Sequence, residues 1–280
     1  MACRPSGTIV GMPPADHATQ TAPPGTVPAA RDGVPPTRLS GTWNFRDLGG
    51  TPTADGRHIR PGVLFRAATL QALDERGRAD LVALGIRTSY DLRGPREIAR
   101  TGADTVPASV TVLVRPFNAE EDETPAHETH EEERESPRTP ADGMRAYNAS
   151  LPGSPNAQSS LAEYLRVLAG EGGTLVHCAA GKDRTGWAVA VALQIAGVDW
   201  PTIMADYLLS NDAVPELAAF MLAEYGPDTV TDPALLGVDS SYLQAAQDAM
   251  LAEFGSLDAY LEAIGLRPAE IHRLRDRLIV

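Results

Sequence analysis

Apolar and polar positions along the chain alternate between two periods. Thr174-Leu175-Val176 is a short apolar run that predicts a buried strand. Trp187 to Ile195 is continuously apolar apart from Gln194, lacks Gly and Pro, and predicts a buried helix that Gly197 ends. Upstream, Ile86 to Leu92 predicts a strand broken by Gly94-Pro95, and Val110 to Val114 predicts another. His58 to Arg66 predicts a turn followed by a strand. Between these lie helical spacings. Leu73, Leu81 and Leu84 mark a helix over 70–84, and 95–101 makes a short one. Gly143 to Ser150 predicts a helical turn, and Leu161, Tyr164, Leu165 and Leu168 line one face of a helix over 158–169. From Trp200 onward every segment is helical, with starts at Pro201, Pro215, Ser240, Ser256 and Pro268. Strands alternating with helices indicate an α/β fold with a four- or five-stranded, mainly parallel sheet flanked by helices.

Composition divides the chain. Residues 1–38 are rich in Pro, Ala, Thr and Gly and hold few large apolar side chains, so a disordered tail is expected. The expected domain is 39–280, with residues 119–140 as an acidic, mobile insert and 200–280 as a helical subdomain. His127 and His130 lie in that insert without metal-ligand spacing, which favours a solvated loop. A hydrophobic content of 43% fills a core over this length, whereas 5% aromatic residues and a net charge of −13 argue against nucleic-acid binding. A phosphate site would have to build its positive field locally. The two cysteines are Cys3 and Cys178, so no disulfide framework is implied. No basic segment leads a long apolar run, and stable membrane insertion is not expected. The expected location is cytoplasmic.

The densest chemistry is one decapeptide, His177-Cys178-Ala179-Ala180-Gly181-Lys182-Asp183-Arg184-Thr185-Gly186, set between the predicted strand and helix. A helix N-terminus presents unpaired N–H groups and about half a positive charge, and so favours an anion. Five residues separate Cys178 from Arg184. A loop of that length wraps one phosphate, and the planar guanidinium closes the ring on two of its oxygens. The helix start, Arg184 and His177 favour thiolate over thiol at Cys178, placing a nucleophile in line with phosphorus. Ala179, Ala180, Gly181, Lys182 and Thr185 are the expected substrate-binding residues of the loop, and Thr185 is placed to donate its hydroxyl to the thiolate. A nucleotide-binding P-loop is excluded, because Gly181-Lys182 is followed by Asp183 and Val176 stands where its first glycine belongs. A rhodanese-like sulfurtransferase fits less well than a phosphate-handling enzyme.

His-Cys-x5-Arg-[Ser/Thr]-Gly is the signature of the cysteine-based phosphatases, and the longer form here resembles the atypical bacterial tyrosine and phosphoinositide phosphatases. Asn44-Phe45-Arg46-Asp47-Leu48-Gly49-Gly50 and Tyr90-Asp91-Leu92-Arg93 resemble two further motifs of that family. The resemblance runs from about Leu39 to the C-terminus. It implies phosphomonoester hydrolysis through a cysteinyl-phosphate, with phosphorylated protein or phosphoinositide as substrate. It also implies a C-terminal helical lid, for which the face Val214, Leu217, Phe220 and Met221 is the candidate and plain core packing the alternative. Asp183 becomes the candidate general acid and Asp91 the runner-up, since no Trp-Pro-Asp motif is present. Lys182 is a candidate contact to a second phosphate. Asn44, Arg46 and Asp47 are expected beside the loop, or else in a buried network around Gly49-Gly50. Arg66 is expected as a supporting cation or an ordinary buried ion pair, and His177 as the residue that orients the loop. No metal or cofactor is expected, because Arg184 and backbone donors supply the positive charge. Relatives exported without a signal leave the location open, and the oligomeric state is not legible. The alternative from another class is a catalytically silent phosphate- or phosphoinositide-binding module.

Overall fold

The computed structural model describes residues 38–118, 139–227, 229 and 232–280. Residues 1–37 of the expected tail and 119–138 of the acidic insert lie outside these residues. Five strands form one sheet: β1 (Arg46–Asp47), β2 (Leu64–Ala67), β3 (Ile86–Asp91), β4 (Thr111–Val114) and β5 (Gly173–His177), in the order β1-β2-β5-β3-β4. β1 pairs antiparallel with β2, and the remaining pairs are parallel. β5 is central because all five of its residues are buried, as a parallel strand covered on both faces requires. Ala67 of β2 and Asp91 of β3 both stand opposite His177. Three strands therefore end at one level, and the loop after β5 opens beyond their carboxyl ends, where open α/β sheets hold their ligands.

Side chains alternate across the sheet. Leu64, Tyr90 and Val176 enter one apolar cluster, while Phe65, Ile86 and Leu175 enter another with Leu39, Leu70 and Leu81. The second cluster lies under α1 (Glu75–Ala83). This helix starts later than the spacing predicts, because Asp74 accepts the N–H of Gly77 at 2.8 Å and caps it there. Leu70 to Leu73 is instead a turn closed by Leu73 N–H on Leu70 O. After the short α2 (Pro95–Thr101), α3 (Pro140–Ser150) is a full helix rather than a turn. Thr139 and Asp142 exchange capping bonds that overcome the turn-like Pro140-Ala-Asp-Gly143.

The larger cluster joins α4 (Pro155–Leu168) and α5 (Asp183–Ala196) to all but one of the C-terminal helices. The C-terminal helices are α6 (Trp200–Leu208), α7 (Val214–Tyr225), α8 (Pro233–Leu236), α9 (Ser240–Phe254), α10 (Leu257–Ala263) and α11 (Pro268–Leu278). Leu161, Trp187, Tyr207, Leu243, Tyr260 and Leu274 all belong to the cluster, so the helices after Trp200 share the sheet's core, except α7, whose Leu217 and Met221 belong to a separate cluster. Every residue of α5 except Gln194 is buried, and this rigid helix carries the site's cation. No helix among the described residues is long and apolar enough to cross a membrane.

Candidate active site

The loop from Cys178 to Lys182 is held from outside by its carbonyl oxygens. Gly181 O accepts from Arg66 Nη2 at 2.7 Å and from Asn44 Nδ2 at 2.9 Å. Ala180 O accepts from Asn44 Nδ2 at 3.2 Å, and Ala179 O from the N–H of Thr69 at 3.0 Å. In a trans peptide the N–H points opposite to the C=O. The N–H groups of Ala180, Gly181 and Lys182 are therefore turned to the inner side, which makes an anion-binding nest. Gly181 has φ +67°, and a Cβ there would stand 2.1 Å from Ala67 O, so the loop's tightest point accepts no side chain.

Cys178 lies at the base, 3% exposed, with the Thr185 hydroxyl donating to its Sγ at 3.3 Å. Arg184, on the first turn of α5, is gripped end-on by Glu97: Nη1 and Nη2 donate to the two carboxylate oxygens at 2.6 and 2.7 Å. Nη1 also donates to Leu92 O at 3.3 Å. Its Nε edge makes no hydrogen bond among the described residues, which leaves that edge for an anion. Burial alone would raise the Glu97 carboxyl and lower the Arg184 guanidinium, but their mutual attraction wins in both and keeps both charged. No motif signals Glu97. An acid in the first turn of a short helix is an ordinary capping residue, and it does accept the Gly94 N–H at 2.9 Å.

Behind the cysteine, His177 is fully buried. Its Nε2 lies 2.8 Å from Asp104 Oδ2 and 3.1 Å from Ser89 Oγ, and its Nδ1 is 3.2 Å from Cys178 O. Burial opposes the imidazolium, yet Asp104 and Asp91 raise its pKa overall. Asp91, the second candidate acid, is committed elsewhere, because Arg93 takes both of its oxygens from Nε and Nη2 at 2.8–3.1 Å. Arg93 Nη2 also reaches Asp104 Oδ1 at 2.9 Å. Asp91, Asp104 and His177 offer atoms within 4.8 Å of one another, which is close enough for a metal ion. The Arg93 guanidinium already bridges the two carboxylates, and the set needs no second cation to balance it.

Arg46 and Arg66 converge on Asp206 of α6, at 2.6 Å each. Arg46 also donates to Asn44 Oδ1 at 2.7 Å, so Asp206 steadies the loop through two arginines and one amide. Asn44 adopts φ +54° to reach the loop. Asp47 lies apart and accepts the N–H groups of Gly49 and Gly62 at 2.8 Å. Arg66 is buried, paired with Asp206, and donates to Gly181 O.

Asp183 opens α5, with Oδ1 3.3 Å from both the Tyr207 hydroxyl and Asn148 Nδ2. Lys182 Nζ is 3.4 Å from Asp183 Oδ2 and is turned away from the loop, donating to the carbonyls of Leu235 and of Gly237 at the end of α8. Beside the loop, Leu217 and Met221 of α7 pack with Leu236, Trp43, Phe220 and Ala180, and the rings of Trp43 and Phe220 are 5.2 Å apart. A cleft of about 470 Å³ lies on the outer side of Asn44, lined by Arg38, Trp43, Arg46, Arg76 and Glu216; neither Cys178 nor Arg184 lines it.

A family model described as the tyrosine phosphatase family matches residues 37–280, which take in every described residue. The chain belongs to the tyrosine phosphatase family. The triple specificity protein phosphatase PtpB of Mycobacterium tuberculosis is 37% identical over 274 residues, covering 86% of this chain and 98% of its own. A Cupriavidus necator relative is 32% identical over 236 residues, covering 78% of this chain and 80% of its own. A tyrosine-protein phosphatase of Nostoc commune is 28% identical over 276 residues, covering 93% and 88%. As a member of the tyrosine phosphatase family the protein is a phosphatase, and Cys178 stands in the family's signature loop.

Proposed function

We propose that the protein hydrolyses phosphomonoesters of phosphorylated proteins, phosphotyrosine first, and of phosphoinositides, through a phosphocysteine at Cys178. The observation that carries this reading is the joint geometry of Cys178 and Arg184 on one loop. Cys178 opens the loop whose N–H groups turn inward, with the Thr185 hydroxyl on its sulfur, and the guanidinium is held flat by Glu97 with its Nε edge unused. Cys178 Sγ attacks phosphorus as the ester oxygen leaves. The nest and Arg184 carry the charge on the equatorial oxygens, the largest contribution expected in phosphoryl transfer. Asp183 gives the leaving oxygen its proton, and water then releases phosphate from sulfur. Thr185 supports the thiolate when sulfur is the leaving group of that second step. The name of the M. tuberculosis relative, triple specificity, motivates the inclusion of phosphoinositides. Lys182 is the residue for a second phosphate, and it must first leave the carbonyls of Leu235 and Gly237. The α7 face on Ala180 and Trp43 serves as the cover of the loop.

The test is hydrolysis of an aryl phosphate under reducing conditions by the wild type and Cys178→Ser. Loss of activity by at least about 10⁴-fold in the variant is expected for a missing nucleophile. A folded wild type that binds phosphate but turns nothing over would defeat the reading. Phosphopeptides and phosphoinositide vesicles, offered in parallel, then separate the two substrate classes.

A further inference from the structure

Asp183 is 7% exposed, and its carboxyl group meets two neighbours that no motif signals. Tyr207, on α6, directs its hydroxyl to Oδ1 at 3.3 Å, and Asn148, on α3, directs Nδ2 to the same oxygen at 3.3 Å. Both donors are themselves fixed. The Tyr207 ring lies against Gly186, where a Cβ would come within 2.8 Å of it, and the adjoining Asp206 ties α6 to Arg46 and Arg66. Asn148 is fully buried and donates also to Met144 O at 2.9 Å, while its own Oδ1 has no partner. The amide is thus oriented by its two acceptors. Turned over, it would set oxygen against oxygen at both.

A carboxyl group that must meet a leaving oxygen is useful only if one defined oxygen carries the proton. Oδ1 already accepts from two donors and has no room for a proton of its own in that direction. Lys182 is 3.4 Å from Oδ2 but turns its shorter bonds to Leu235 and Gly237. We infer that Tyr207 and Asn148 are positioning residues that pin Oδ1 of Asp183 and so present Oδ2 as the proton-carrying oxygen. In the step concerned the Sγ–P bond forms, the P–O bond electrons pass to the leaving oxygen, and the Oδ2 proton goes to that oxygen. The inference rests on the reading of Asp183 as the acid, and the experiment separates the two.

The experiment compares kcat/KM for a series of substituted phenyl phosphates of graded leaving-group acidity, in wild type, Asp183→Asn, Tyr207→Phe and Asn148→Ala. An enzyme that protonates its leaving group depends weakly on leaving-group acidity, and one that does not depends steeply. Tyr207→Phe keeps the ring and loses the hydroxyl. It is expected to fall roughly tenfold on unsubstituted phenyl phosphate, a fraction of the ~10²–10⁴ a general acid supplies, and to stay within about twofold on the most acidic leaving group. Asn148→Ala is expected to steepen the dependence in the same sense and serves if Tyr207→Phe does not fold. A steep Asp183→Asn beside a Tyr207→Phe that parallels the wild type, lowered equally on every substrate, would overturn the positioning role alone. An Asp183→Asn as shallow as the wild type would remove the acid, and the inference with it.

Discussion

At the scale of the residue, charge pairing decides which groups stand ready. Arg184 is the clearest case. A free arginine on a first helical turn would sample many rotamers, and the Glu97 fork leaves it one. Glu97→Gln keeps the shape and removes the charge. It is expected to lower kcat/KM by about 10- to 100-fold, approaching the loss of an oxyanion donor. It should also destabilise by about 3 kcal/mol, because Arg184 is left buried without its counter-ion. Steady-state kinetics and urea unfolding of the one variant check both parts. Cys178, Arg184 and Thr185 stand out in the sequence because motif spacing along one loop is a local property. Glu97, Asp104, Asp206 and Tyr207 were not, since each comes from another element and is an ordinary acid or aromatic in its own stretch.

At the scale of the element, Lys182 ties the end of α8 to the loop. The carbonyls of Leu235 and Gly237 at the end of α8 carry the negative end of a short helix, and Lys182 answers them from the loop. Lys182→Met is expected to speed amide hydrogen exchange at Gly237 and Val238, whose N–H groups bond to Pro233 O and, from before α7, Asn211 Oδ1. Exchange in β5 should be unchanged, and equal exchange at Gly237 and Val238 in both proteins would show that the lysine holds nothing there. Periodicity found nearly every helix and strand, because burial on one face leaves a mark at fixed spacing. It missed the short β1 and α8, and it misplaced the starts of two helices. The first turn of α3 and the delayed start of α1 depend on caps at Thr139 and Asp74, whose hydrogen bonds outweigh the turn residues or leucines around them.

At the scale of the whole molecule, the ion pairs around the loop set how stability follows pH. Burial raises Glu97, Asp104 and Asp206, but Arg184, His177 and Arg66 respectively lead the attractions that bring each below its ordinary value of 4.5, 3.8 and 3.8. Their contribution is present above those values and is lost as pH falls through the lower folded ones. Burial lowers His177, but Asp104 and Asp91 bring it above 6.5, so its contribution is full below 6.5 and is lost as pH rises through the folded value. Melting temperature is therefore expected to form a plateau between about pH 4.5 and 6.5 and to decline on both sides. His177→Asn should lower the plateau and flatten the alkaline decline, and an unchanged decline in thermal melts of that variant would show that His177 does not cause it.

The sequence by itself determined the α/β class, the place of the strand-loop-helix unit and the spacing of a cysteine and an arginine within it. Each of these follows from residues close together along the chain, where spacing and backbone geometry act directly. The tertiary structure decided which acid grips Arg184, that Asp91 belongs to Arg93, that Arg46 and Arg66 share Asp206, and that Lys182 turns to α8. Those partners lie on separate elements. A buried charge takes the counter-charge that the packed elements bring within about 3 Å, and no local pattern encodes which one that is.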